Sequence, residues 1–282
     1  MRLAHLSDLH FGHHDDAIAQ SLAADIDRQN VDLVVISGDF TQRGIRSEFE
    51  AARDFIAQLK PPVFAVPGNH DVPQLNLWQR LVDPYALYRQ YISPELEPFI
   101  LVDGVALVGL KTAHRFMPGF NWSHGSFSRS QLGKLESRFS AAPADAIRVV
   151  VAHHPLLYPE GGEKPRQQRV WRADLALQIF AKLGVRLVLS GHFHLSYVRL
   201  HGAEGEVTEG APTGVREAAT SPILVAQTSS TLSTRLRGHA NAYNLIEFSD
   251  VIEINVREWH QSAWRTRERQ VKPAEPPRVH AG

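Results

Sequence analysis

The chain has 282 residues, no cysteine, and 30 basic residues balanced by 30 acidic ones, with a pI near 7.3. Without cysteine there are no disulfides and no thiolate metal ligands, so any metal must be held by nitrogen and oxygen. The neutral balance gives no bulk electrostatic argument for nucleic acid or an anionic membrane. No apolar run approaches the roughly 20 residues that span a bilayer.

An apolar content of 43% supports a sizeable core. The expected organisation is one α/β domain over residues 1–264, with a helical insertion at 72–98 and a flexible tail at 265–282. The N-terminus enters a strand at once and lacks the regions of a signal peptide, so the expected compartment is cytoplasmic. Fifteen histidines are the one compositional hint of chemistry.

In chain order, Leu3 to Ser7 reads as a buried strand. A helix follows, with Ile18, Leu22 and Ile26 on one face. Leu33 to Ser37 is a second strand. Ser47-Glu48-Phe49-Glu50 has the form of a capping box, opening a helix striped by Phe49, Ala52, Ile56 and Leu59 and ended by Pro61-Pro62. Val63 to Val66 is a third strand, so the order β-α-β-α-β predicts parallel pairing. Residues 72–98 read as one or two helices interrupted by Pro84, either a wall of a site or a packing element.

Asp103-Gly104 between Phe99–Val102 and Val105–Val108 predicts a hairpin with a type I′ turn. Ser128 to Gln131 repeats the capping-box pattern ahead of Leu132, Leu135 and Phe139. A strand at Val149–Ala152, a helix from about Trp171 to Leu183 and a strand at Leu187–Ser190 come next. Tyr197–Leu200 and Ile223–Ala226 are further strands around a Gly/Glu/Thr-rich loop, 202–220. A second hairpin turns at Ser249-Asp250.

Five of the apolar runs end in polar residues able to bind metal or move protons. They run into Asp8-Leu9-His10, Gly38-Asp39, Gly68-Asn69-His70-Asp71, His153-His154-Pro155 and Gly191-His192-Phe193-His194. In open α/β sheets, ligand and catalytic groups gather outside the carboxyl ends of strands. A lone His-x-His or Gly-Asp is weak; the signal is that every such element follows a short strand. The candidates are Asp8, His10, Asp39, Asn69, His153, His192 and His194. They are too many for one tetrahedral zinc and suit two ions sharing a carboxylate. Mixed N/O ligation favours Mn, Fe, Co or Zn over Mg and Ca.

This series resembles the calcineurin-like metallophosphoesterases over about residues 1–260, and looks most like their bacterial class III cyclic-nucleotide phosphodiesterases and glycerophosphodiesterases. The resemblance implies an α/β/β/α sandwich of two mixed sheets with a dinuclear metal site at strand carboxyl ends. It implies that Asp8, His10 and His194 hold one ion, that Asn69, His153 and His192 hold the other, and that Asp39 bridges them. It places His70 towards the substrate phosphate as a catalytic group, and His154 either as an outer-shell or substrate-side group or as a structural one. Asp71 is read as orienting the turn. The implied reaction is hydrolysis of a small phosphodiester by a hydroxide activated between two divalent or mixed-valence ions. Nuclease, phosphomonoesterase and non-catalytic scaffold are the competing readings. Nucleic acid and membrane are not expected partners, and a homo-oligomer is left open.

The other histidines take plainer readings. His5 is read as a packed neighbour and His13 and His14 as surface. His114, His124 and His239, with Asn121 and Arg237, are candidates for a pocket rim, and Trp122, Trp171, Trp259 and Trp264 are read as packing residues.

Overall fold

A computed structural model describes residues 1–115, 123–160, 167–202, 222–236 and 238–273, with the backbone alone for 268–273. Asn121, Trp122, Arg237 and residues 203–220 of the expected loop therefore lie outside the described residues.

The first half runs β1 (Arg2–Leu6), α1 (Asp16–Arg28), β2 (Leu33–Ile36), α2 (Arg46–Ile56), β3 (Val63–Ala65), α3 (Leu77–Val82), α4 (Ala86–Tyr91), β4 (Phe99–Val102) and β5 (Val105–Leu110). The second half runs α5 (Arg129–Gly133), α6 (Leu135–Phe139), β6 (Ile147–Ala152), α7 (Ala173–Lys182), β7 (Val185–Ser190), β8 (Tyr197–His201), β9 (Ile223–Gln227), β10 (Ala242–Phe248), β11 (Val251–His260) and β12 (Ala263–Pro273).

These strands form two six-stranded mixed sheets, ordered β12-β11-β10-β1-β2-β3 and β4-β5-β6-β7-β9-β8. β1, β2 and β3 are parallel, as are β5, β6, β7 and β9. The remaining pairs are antiparallel.

Central strands buried on both faces send alternate side chains into different cores. Leu3, Leu33, Val35 and Phe64 meet Leu107, Val149, Val151, Leu187 and Leu189 between the sheets. Ala4, Leu6, Val34 and Ile36 point the other way, onto Ile18, Leu22 and Ile26 of α1 and Phe49 and Phe55 of α2. On the opposite side, Val150 and Val188 meet Leu135, Phe139, Leu177 and Phe180. The result is the four-layer α/β/β/α sandwich that the strand order and the resemblance imply.

Local chemistry accounts for most boundaries and corrects two. Asp103 and Gly104 both have positive φ (46° and 75°), as a type I′ turn requires. Ser128 and Gln131 form the reciprocal capping box. The other capping box is not formed: α2 begins at Arg46 behind Ile45, which has no side-chain cap, so Ser47 lies inside the helix. The buried carboxylate of Glu48 turns back to the backbone N–H of Arg43 (2.7 Å). The break between α3 and α4 falls at Asp83–Tyr85, around Pro84. The tail expected from Arg265 does not begin there, because β12 pairs with β11 as far as Pro273. Its high charge suits an edge strand.

A buried ion pair ties α1 to the end of the first sheet. Both oxygens of Asp25 accept from the Arg257 guanidinium at 2.8 Å, and one also accepts from the Tyr243 hydroxyl at 2.6 Å. Removing one partner of such a pair leaves a buried charge without its counterpart. Asp25→Ala is expected to lower the unfolding free energy by about 3 kcal/mol, and Tyr243→Phe by about 1 kcal/mol. Denaturant melts of both variants measure this.

Candidate metal centre

The site is assembled where both sheets present their carboxyl ends. Asp8 and His10 follow β1, Asp39 follows β2, and Asn69 and His70 follow β3; His153 follows β6, and His192 and His194 follow β7. Backbone bonds lock neighbouring turns together: Asp8 N–H donates to Gly38 O (3.0 Å), and Gly191 N–H donates to His153 O (3.0 Å). Two bonds cross between sheets. The backbone N–H of His192 donates to Asp8 Oδ2 (2.9 Å), and His153 Nδ1 donates to Ser37 O (2.8 Å).

Those bonds aim the remaining lone pairs inwards. With Nδ1 of His153 occupied, its Nε2 faces Asn69 Oδ1 at 3.1 Å and Asp39 Oδ2 at 3.2 Å. The same Asp39 oxygen lies 3.9 Å from His10 Nε2. Around Asp8 Oδ1 stand His194 Nε2 at 3.2 Å and His10 Nε2 at 3.6 Å, and the two imidazole nitrogens are 3.3 Å apart. Among the described residues, Asp8, His10 and His194 form one potential metal-binding group. Asp39 joins two others, one with His10 and His70 and one with Asp8 and His153.

Asp8 Oδ1 and His192 Nε2 are buried and have no hydrogen-bond partner. Such groups are expensive unless something satisfies them. A cation beside each of them would satisfy these atoms, and the donor set of imidazole, carboxylate and amide oxygen fits divalent metals. The ionisation states carry the same message. Burial by itself would raise both carboxylates. The imidazoles of His194 and His10 instead hold Asp8 well below the usual range, and those of His153, His70 and His10 do the same for Asp39. Burial would lower His153, yet Asp39 and then Asp8 push it up to about 9. The two carboxylates thus favour positive charge at His153.

His154 lies near His153 and His192, but proximity is not ligation here. Its Nδ1 is paired with Thr112 Oγ1 (2.8 Å), and its Nε2 donates to Ser123 O (3.0 Å). Both ring nitrogens are committed, which favours the structural reading of this histidine. His70 is held by a bond from Nδ1 to Gln42 O (2.6 Å), with the Gln74 amide at 2.9 Å. Its other nitrogen is left for the site. Nothing in the sequence pattern pointed to Gln42 or Gln74. Asp71 anchors the turn, accepting from Gly68 N, Thr41 N and Thr41 Oγ1 at 2.8, 3.0 and 3.1 Å.

The plainer histidines fall as follows. His5 is buried, with Ser37 Oγ at 2.9 Å. His14 pairs with Asp16 at the surface (2.9 Å). His114 bonds Ser126 O (2.9 Å). Trp259 and Trp264 pack against each other, whereas Trp171 is exposed with Arg172 over its ring at 4.0 Å.

The backbone is strained where the candidate ligands sit. Asp8, His10, Asp39, His192 and His194 all have left-handed φ, between 50° and 74°. This conformation is uncommon for residues with a side chain and costs on the order of 1–3 kcal/mol each.

Comparisons with known proteins agree with this class of site. A family model described as calcineurin-like phosphoesterase matches residues 1–196. The chain belongs to that family. Its similar curated relatives include a probable cyclic nucleotide phosphodiesterase of Synechococcus, 26% identical over 65% of this chain and 66% of that one. Another is the 3',5'-cyclic adenosine monophosphate phosphodiesterase of Escherichia coli, 28% identical over 58% of this chain and 54% of that one. A third is a probable glycerophosphodiester phosphodiesterase of Arcobacter nitrofigilis, 26% identical over 58% and 56%. The matches thus span between half and two thirds of those relatives.

Among solved structures, a purple acid phosphatase from yellow lupin superposes with a TM-score of 0.65 at 12% identity, over 97% of this chain and 53% of that one. A dimetal phosphatase from Danio rerio gives 0.63 at 13% identity, over 98% and 99%. At such identities the likeness is one of fold. Family and side-chain clusters together suggest a divalent-metal site. Among the described residues, no helix is long and apolar enough to cross a membrane.

Glycine lets the turns approach this closely. A Cβ on Gly68 would lie 2.1 Å from Asp39 Oδ1 and 2.4 Å from Asp39 N. Gly68→Ala is expected to displace Asp39 and weaken metal uptake by about 10–100-fold, the range for lost ligand support. Titration of the purified variant with Mn or Zn reads this out, and undiminished affinity would show that the turn yields without moving Asp39.

Proposed function

We propose that this protein is a metal-dependent phosphodiesterase acting on a small phosphodiester of the cyclic-nucleotide or glycerophosphodiester type. The observation that carries the reading is Asp39, one carboxylate oxygen of which lies 3.2 Å from His153 Nε2 and 3.9 Å from His10 Nε2. A single acid within reach of both ligand groups is what a two-ion site needs. Asp8, His10 and His194 would hold one ion and Asn69, His153 and His192 the other, with Asp39 shared. Mn, Fe, Zn and Co all suit these donors. When bound, such ions supply a water of lowered pKa and neutralise charge developing on a phosphoryl group.

The chain's own residues supply the rest. Asp8 and Asp39 remain ionised, so two negative charges are in place to retain cations. His70 is fixed as an Nδ1–H donor to Gln42 O (2.6 Å). Its Nε2 donates to a phosphate oxygen or to the departing alcohol only when the ring is protonated. Asn69 and His70 are adjacent but turn apart, with Asn69 Oδ1 at His153 and the His70 ring edge-on to His10 at 4.8 Å. The diester assignment is supported by the phosphodiesterase activities for which the curated relatives are named, and by the two carboxylates that a dianionic monoester would have to approach.

A substrate panel on the metal-loaded protein tests the reaction. With a common aryl leaving group, kcat/KM is expected to be higher for the diester than for the monoester; equal or reversed values would point to a phosphomonoesterase. Elemental analysis tests the shared carboxylate. Asp39→Ala is expected to retain fewer metal ions per chain than His194→Ala, and two ions retained in Asp39→Ala would remove the bridge. His70→Ala is expected to keep its metals and lose about 10²–10⁴-fold in kcat. The loss should be smaller for nitrophenolate than for an alkoxide if His70 protonates the leaving oxygen, and equal for both if it binds phosphate. Metal loss in this variant would instead make His70 a ligand.

A further inference from the structure

One cavity is lined by none of the candidate metal ligands, and the hydrolytic reading does not use it. It encloses about 440 Å³ between the α3–α4 turn and the end of β5. Val82, Pro84, Tyr85 and Leu96 form an apolar wall, with Asp83, Arg89, Lys111, His114 and Arg115 around it.

Its charges are unevenly matched. Asp83 is fully engaged by Arg89, which reaches both carboxylate oxygens at 2.5 and 2.6 Å. Glu97, the other acid near Lys111, turns to the Lys111 backbone N–H (3.1 Å) and to the side-chain amide of Gln131. The half-buried Lys111 ammonium lies 5.2 Å from the centre of the Tyr85 ring. Arg115 donates one N–H to Leu81 O (2.9 Å). Among the described residues no carboxylate lies within 4.0 Å of either cation. Burial lowers the Lys111 pKa; Glu97 opposes that shift and Arg115 adds to it. Two cations thus face one cavity without a counter-ion, which is unfavourable unless an anion joins them.

The size selects among anions. A cavity of 440 Å³ falls within the roughly 300–1,000 Å³ of small-molecule pockets. A bare phosphate would meet the cations and leave the apolar wall wet. An organic dianion would cover both, placing its charged head on Lys111 and Arg115 and its body on Tyr85, Pro84 and Leu96.

We propose that this cavity is a binding site for an organic phosphomonoester-type dianion, separate from the metal centre. Lys111 sits next to Thr112, whose hydroxyl holds His154 (2.8 Å), and the Tyr85 hydroxyl donates to Ala113 O (2.6 Å). An occupant would therefore lie against the same strand end that holds His154, the neighbour of His153.

Calorimetric titration of the metal-loaded full chain with phenylphosphonate, whose C–P bond is not a phosphoester, tests the site. The Lys111→Met/Arg115→Met double variant is expected to lose one binding event per chain relative to the parent, while metal content and diester turnover stay within twofold. Inorganic phosphate is expected to bind this site at least tenfold more weakly than phenylphosphonate. Identical isotherms for parent and variant would overturn the proposal. Equal affinity for the two probes would overturn the role of the apolar wall. Should the double variant fold poorly, Arg115→Gln at the exposed position serves alone, with an expected loss in affinity of about tenfold for one charge-assisted contact; an unchanged affinity there counts against the site.

Discussion

Two carboxylates buried at the meeting of two sheets set the terms for the rest of this molecule. Asp8 and Asp39 are at most 1% exposed, and burial alone would drive both towards neutrality. They remain ionised because imidazoles surround them, and that arrangement leaves lone pairs converging without a counter-charge. His153 is pushed up to about 9 by Asp39 and then Asp8, against the effect of burial, so added positive charge is favoured beside it. A metal cation supplies that charge more fully than a proton, because several donors can share one cation while a proton serves at most two.

The fold holds this unfavourable cluster in place, and the backbone records the effort. Five ligand candidates are left-handed, and Gly68 is pressed against Asp39 so closely that a Cβ would overlap it. Turns under such strain persist only when their surroundings over-determine them. Here the surroundings are the apolar layer between the sheets and the bonds that cross it, from His192 N to Asp8 and from His153 to Ser37 O. Outward from the candidate ligands, a further ring of bonds fixes each ring's tautomer: Gln42 O at His70, Ser37 O at His153, and Thr112 with Ser123 O at His154. Such supporting partners commonly matter to metal affinity nearly as much as the ligands do.

Much of the architecture was legible in the sequence, because the signals involved are local. Apolar runs of four to six residues, the stripe of Ile18, Leu22 and Ile26, the Asp103-Gly104 turn and the Ser128–Gln131 cap each depend on neighbours in the chain. The failures were local signals overruled from a distance. Ser47 matches a cap pattern, but Glu48 is drawn to Arg43 and the helix starts earlier. Arg265 to Pro273 looks like a tail by composition, but β11 offers it a pairing edge.

By itself the sequence determined which residue types stand at strand ends, since a polar group directly after a buried run is readable one strand at a time. It also determined the donor chemistry, since a chain without cysteine leaves only nitrogen and oxygen ligands. Only the tertiary structure decided which donors share a point in space, that Asp39 reaches both groups, and that both nitrogens of His154 are occupied while Nε2 of His153 faces inwards. Gln42, Gln74 and the cavity around Lys111 and Arg115 emerged at this level too. The physical reason is range. Strand and turn preferences act over a few residues, whereas hydrogen-bond direction and charge balance depend on groups that lie as far apart in sequence as Asp8 and His192 and meet only when the two sheets pack.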